Sequence, residues 1–353
     1  MGKMPIAAVF ALLALQVAPT CQTYLLPNPA SNLFAKDKVV QIELPPIPTN
    51  VAWTEAVPSW NVDHADAADL VVEARVVYPD HATKYYSFGH WSGSDLIGLR
   101  SSVSGQKDED GTVLTDTLRV TRPGGQIQFR LTGRVSGPGP LPKLSRLFVN
   151  VCDTRPSTGL LVHSTHESPW GIVLDPPQFA QGDYPGGKGL CSPTSVAMVL
   201  SYWSGRMGAK NLAKTVPQVQ SGVFDSVYGG TGNWAFNTAY AGSKPGLLGY
   251  AARLNSIDDL ENWISKGIPV VCSVSWYQLH GQVLQSDEEG HLIVLVGFTK
   301  DGDPVFNDPG KRGEVRKVYK RSDFEVAWAY SKRTTYIICP PKFVDDTDVV
   351  KVN

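Results

Sequence analysis

Residues 186–200 read GGKGLCSPTSVAMVL, and Tyr202 and Trp203 follow. Val196, Val199, Leu200 and Trp203 fall at i, i+3, i+4 and i+7, the stripe of an α-helix with one buried face. Ser192 is placed to cap this helix, and Pro193 suits its first turn. Cys191 then lies directly before the helix, behind a glycine-rich loop. A helix start carries a partial positive charge and free N–H groups. That setting stabilises a thiolate and lowers a thiol pKa from about 8.5. The same N–H groups can hold an oxyanion. A lone cysteine is more often a buried structural residue, so position alone does not decide between the two.

Two later stretches bear on the choice. Residues 290–298, GHLIVLVGF, open an apolar strand with His291, and residues 305–310, VFNDPG, end the next strand-like run with Asp308. If the two strands pair antiparallel, His291 and Asp308 come side by side. An acid there fixes the imidazole tautomer and stabilises its charged form. Asp-Pro-Gly is also ordinary turn chemistry, and Asn307 is an alternative orienting group. Among other histidines, His280 sits in the mixed stretch WYQLHGQ, and His163 and His166 fall in a connecting segment. Around these pieces, SIDDLENWISKG (256–267) reads as a helix capped by Ser256 and ended by Gly267. IPVVCSVSW, HLIVLVGF, PVFND and TTYIIC read as strands. Ser322 and Glu325 form a capping box for a short helix through Trp328. Helices followed by mostly antiparallel strands predict an α+β domain.

The first half has a different grammar. LVVEARVVY (70–78), DTLRVTR (116–122), QIQFRLTGRV (126–135) and LFVNV (147–151) are β-rich runs separated by Gly, Pro and Asp clusters. Period-2 alternation between such turns predicts an antiparallel all-β sandwich. The expected layout is therefore multidomain: a signal peptide at 1–20, an extension at 21–50, a β-sandwich at 51–165, an α+β domain at 166–344 and a solvated polar tail at 345–353.

Composition narrows the function. With 33 acidic and 32 basic residues the chain is near neutral, against a nucleic-acid-binding role. At the N-terminus, Lys3, the apolar run Ile6 to Val17 and Ala18-Pro19-Thr20 form a secretory signal pattern with cleavage near Cys21. The run is short of the ~20 residues that span a bilayer, and no later segment is long and apolar enough to span. The expected location is extracellular. Five cysteines are too few for a disulfide scaffold. With Cys21 lost or left at the new terminus, pairing among Cys152, Cys272 and Cys339 stays open. There is no His-Glu-x-x-His and no Cys-x-x-Cys, so no metal or other cofactor is expected. Trp53, Trp60, Tyr85, Tyr86 and Trp91 are candidates for stacking on sugar rings, which keeps a polysaccharide or cell-wall contact open.

Residues 176–203, PPQFAQGDYPGGKGLCSPTSVAMVLSYW, together with GHLIVLVGF and NDPG, resemble the C39-like branch of the papain-like cysteine peptidases. VPSWNVD (57–63), YYSFGHWS (85–92) and DGTVLTDTLRV (110–120) resemble the β-rich N-terminal region of a secreted branch of that group. The resemblance implies Cys191 as nucleophile, His291 as general base, Asp308 as orienting acid and Gln181 as the oxyanion-hole glutamine. It implies a peptide or protein substrate. In the wider family Ser192 is often a Gly, and leader-peptide cleavage after a double glycine goes with fusion to a membrane exporter. This chain shows no exporter, so that substrate is not carried over. A Cys-dependent acyltransferase or transglutaminase-like enzyme, and a non-catalytic surface-binding protein, are the competing readings.

Overall fold

A computed structural model describes residues 20–155, 169–284 and 290–352. Residues 1–19 of the expected signal peptide, His163 and His166 lie outside the described residues. The β-rich first half holds β1 (Cys21–Pro27), β2 (Val39–Glu43), β3 (Ile47–Asp63), β4 (Ala68–Val76), β5 (Tyr86–Ser92), β6 (Gly111–Leu114), β7 (Thr117–Val135) and β8 (Lys143–Cys152). The second half holds α1 (Cys191–Met207), α2 (Val216–Val223), α3 (Trp234–Gly242), β9 (Leu248–Arg253), α4 (Ile257–Ser265), β10 (Val270–Ser275), α5 (Trp276–Leu279), β11 (Gly290–Phe298), β12 (Pro304–Asn307), β13 (Arg316–Val318), α6 (Arg321–Ala329), β14 (Thr334–Cys339) and β15 (Val350–Lys351).

The N-terminal strands are bonded into one connected sheet, in the order β15-β1-β8-β3-β7-β4-β5, with β2 and β6 also pairing β7. Two long strands make this possible. β7, 19 residues, pairs β6 and β3 along its first half and β2 and β4 along its second. Residues 21–50, expected as a separate extension, thus supply two strands of this sheet. The tail expected to be solvated supplies a third: β15 pairs parallel with β1, with Tyr24 opposite Val350.

The aromatics considered for sugar stacking are interior. Trp53, Trp60, Tyr86 and Trp91 are almost wholly buried, and Trp60 meets Trp91 and Phe236 edge to face. Half-buried Tyr85 lies under the guanidinium groups of Arg75 and Arg130. These rings fill the core because alternate β-strand positions point inward; a stacking platform is not what they form.

The second sheet runs β13-β12-β11-β10-β14-β9, antiparallel throughout. Helix α1 is fastened to it by Ser195 Oγ donating to Leu292 O (3.1 Å) and Trp203 Nε1 donating to Ile338 O (2.7 Å). The helix begins two residues earlier than expected. Leu190 is its N-cap, Cys191 is its first residue, and buried Ser192 spends its hydroxyl on Tyr336 (3.0 Å) rather than on a cap. Likewise α6 starts at Arg321 with Lys320 as N-cap, and Ser322 Oγ donates to Asp323.

Cys21 is bonded to Cys152, its cross-strand neighbour in the β1–β8 pair. Cys272 and Cys339 are free and buried. Their strands do meet, but the register sets Cys272 opposite Thr335 and Cys339 opposite Leu248, so the two thiols are not partners.

The halves interlock. Ala235, Phe236 and Ala239 of α3 belong to the N-terminal core, while Leu25, Val57 and Phe148 belong to the C-terminal one. Strand β9 is the edge of its sheet, and an edge strand leaves every second backbone pair unbonded. Here the N-terminal domain satisfies them with side chains. Asn61 Nδ2 donates to Gly249 O (2.7 Å), Ala251 N–H donates to Ser59 Oγ (2.9 Å), and Arg253 N–H donates to Asn150 Oδ1 (3.1 Å). Buried Glu55 pairs with Arg253. Asp116 accepts from the Trp234 N–H at the start of α3. Burial pushes that carboxyl up to about 6, against the hydrogen bonds it receives.

Candidate active site

The site is assembled by the Gly-rich loop, the start of α1 and the β11–β12 pair. The loop's glycines have separate reasons. Gly186 (φ +76°) and Gly189 (φ +94°) sit in the left-handed region, where side chains are strained. At Gly187 a Cβ would lie 2.6 Å from Gln181 O, so only glycine lets the loop close on that turn. Gln181 opens a 3-10 turn through Asp183, and its N–H donates to Pro309 O (2.8 Å). The residue ten positions before Cys191 is thereby tied to the neighbour of Asp308. Gln181 Oε1 is buried with no hydrogen-bond partner.

His291 is buried at the mouth of β11. Its Nε2 faces Asp308 Oδ1 at 2.7 Å. The antiparallel register, with Val294 opposite Asn307, brings the two side chains to the same end of the strand pair. The other ring nitrogen, Nδ1, remains for half-buried Cys191, whose thiol His291 holds down. Asn307 points elsewhere: its Nδ2 holds Pro176 O (3.1 Å) and its Oδ1 accepts from Arg316. His280 also lies aside, with Nδ1 on Trp276 O (2.7 Å).

The electrostatics follow from this contact set. Burial opposes a charge on Cys191, but the hydrogen bond and positive charge of His291 prevail and hold the thiol below its ordinary value. Burial likewise opposes an imidazolium, yet Asp308 and the Cys191 sulfur raise His291 well above its usual value. Asp308, buried but facing His291, stays below the usual carboxylate range. In all three the direction is the one in which neighbouring opposite charges favour each other.

Three further residues contribute, and two of them, Trp276 and Tyr319, carry no motif in the sequence. The Trp276 ring stands edge-on to His291, 4.9 Å between centroids and 84° between planes. Tyr319 OH donates to Asp308 Oδ2 at 2.6 Å. Gly310 donates its N–H to Asp308 Oδ1 at 2.8 Å, and a Cβ on it would lie 2.8 Å from Trp276 and 3.2 Å from both Asp308 and His291. The glycine of Asp-Pro-Gly was thus a signal of close approach as well as of a turn. Among the described residues no three His, Cys, Asp or Glu side chains are grouped to hold a metal ion, and no helix is long and apolar enough to cross a membrane.

A cysteine on a helix start, facing a histidine and an acid on paired antiparallel strands, defines a cysteine-peptidase-like fold. Residues 173–336 match the Peptidase_C39 like family, and residues 14–151 match the Peptidase C39 N-terminal domain. Cys191, His291, Asp308 and Gln181 all lie within the first of these regions. A Bacillus anthracis protein described as a C39-like peptidase is 17% identical, over 48% of this chain and 94% of its own, with a TM-score of 0.28. A structure of infectious bursal disease virus, Gx strain, is 11% identical over 39% of this chain and 34% of its own, with a TM-score of 0.23. These scores are too low to support a structural comparison. No curated protein matches the chain significantly.

Proposed function

We propose that this chain is a secreted cysteine peptidase that hydrolyses peptide bonds through Cys191, His291 and Asp308. The observation that carries the reading is the His291 Nε2–Asp308 Oδ1 contact of 2.7 Å, which leaves Nδ1 for a thiol at the first position of a 17-residue helix. The Cys191 thiolate attacks the scissile carbonyl carbon. The resulting oxyanion is held by the Cys191 N–H and the Gln181 amide. His291 then gives its proton to the departing amine, leaving a thioester on Cys191. A water molecule, deprotonated by His291, attacks the thioester and releases the acid. Secretion is supported by the apolar segment before residue 20 and by the Cys21–Cys152 bond, since such bonds persist in oxidising compartments. The test is turnover of a mixed peptide library by the protein lacking its first 20 residues. Cleavage that disappears in Cys191→Ala is the expected result; equal cleavage by that variant rules the reading out.

A further inference from the structure

Asp308 faces His291, and its carboxylate is engaged on both oxygens. Oδ1 accepts from His291 Nε2 and from the Gly310 N–H. Oδ2 accepts from the Tyr319 hydroxyl at 2.6 Å, its one hydrogen-bond donor among the described residues. Tyr319 is itself buried and fixed. Its N–H donates to Pro304 O, and its ring packs on Phe306 (6.0 Å) and edge-on to His280 (5.7 Å, 84°). His280 in turn leans on Trp276 (4.5 Å), and Trp276 on His291 (4.9 Å). Five side chains therefore close a ring: Asp308, His291, Trp276, His280 and Tyr319. A carboxylate held by one oxygen can rotate away from its imidazole. One held by both cannot, and each donated hydrogen bond favours its ionised form.

We propose that Tyr319 is a positioning residue for the reaction assigned above, keeping Asp308 ionised and its Oδ1 aligned on His291. This rests on reading Cys191 as the nucleophile. Tyr319 is suited to the task because burial and the charge of Asp308 hold its own proton in place. The other titratable or charged groups around the cluster are Cys191, His280, Glu314 and Lys311 from the loop after Asp308, and Asp323 of α6 next to Gly281.

The test needs no substrate: the rate of Cys191 alkylation by iodoacetamide, followed by peptide mapping from pH 3 to 10. Wild type should show a thiolate limb well below pH 8 that is lost in His291→Ala. In Tyr319→Phe, which keeps the ring and its packing, the limb should move up by about one pH unit, the size of a hydrogen bond to a charged group. p-Aminophenylalanine in its place returns a donor, weaker than phenol, and should bring the limb most of the way back. Used alone, should the Phe variant not fold, it should still move the limb upward by a measurable fraction of a unit. An activated wild-type limb that neither variant moves overturns the role of Tyr319 and leaves the peptidase reading standing. A wild-type limb at the ordinary thiol pH overturns both.

Discussion

Cys191 and Cys272 touch the same hydrophobic core and are chemically opposite. Cys272, inside β10, has apolar neighbours, and burial pushes its thiol well above the ordinary value. Cys339 on β14 behaves likewise. Cys191 also lies against apolar residues, yet its thiol is held down. The difference is one imidazole, itself kept charged by Asp308, and the open end of a helix. Burial makes a cysteine inert unless a fixed positive charge is built beside it.

That contrast can be broken in several ways. The largest effect belongs to Cys191→Ala, which should reduce turnover by about 10⁴-fold or more, as for other nucleophile deletions. Gln181→Ala should reduce kcat by about 10²–10³-fold with little change in KM, the usual scale for one oxyanion donor. An unchanged kcat would show that the amide with the unpartnered Oε1 does not reach the oxyanion. Asn150→Ala strips the Arg253 N–H on β9 of its acceptor. It should cost about 1–3 kcal/mol of stability, read in urea, while the alkylation profile of Cys191 keeps its shape. The smallest effect should come from Cys272→Ala, about 1–2 kcal/mol of stability and no loss of turnover. Native-state alkylation of Cys272 at pH 7 at a rate near that of Cys191 would undo the comparison altogether.

The parts legible in the sequence were those written locally. The Val196, Val199, Leu200, Trp203 stripe gave α1, and alternation gave the β-rich half. The run from Gly290 and the Asn-Asp-Pro-Gly turn, only 17 residues apart in their key side chains, gave the neighbouring strands that bring His291 to Asp308. What was missed depends on distant chain. Asn61 bonds to Gly249 across 188 positions, and the sequence around Asn61 gives no hint that it completes a strand edge. Cys21 meets Cys152 across 131 positions, and nothing in the sequence around either residue marks them as partners. Tyr319 sits in RKVYKRS, a polar stretch whose one distinguishing feature, a hydroxyl aimed at a carboxylate, exists only after folding. Ser192 read as a cap because its type favours caps; Tyr336 offered it a buried partner instead.

The pairing of β15 with β1 sets an order on how the molecule can be completed. β1 is made early, from Cys21 to Pro27, but the strand that covers its outer edge contains Val350 and Lys351. During synthesis that edge stays open for the passage of more than three hundred residues. Its other edge is covered sooner, by β8 and the Cys21–Cys152 bond, once Lys143–Cys152 has been made. The last few residues therefore act as a closing stitch, and a chain cut short before them would present a bare strand to its neighbours, the usual seed of edge-to-edge association.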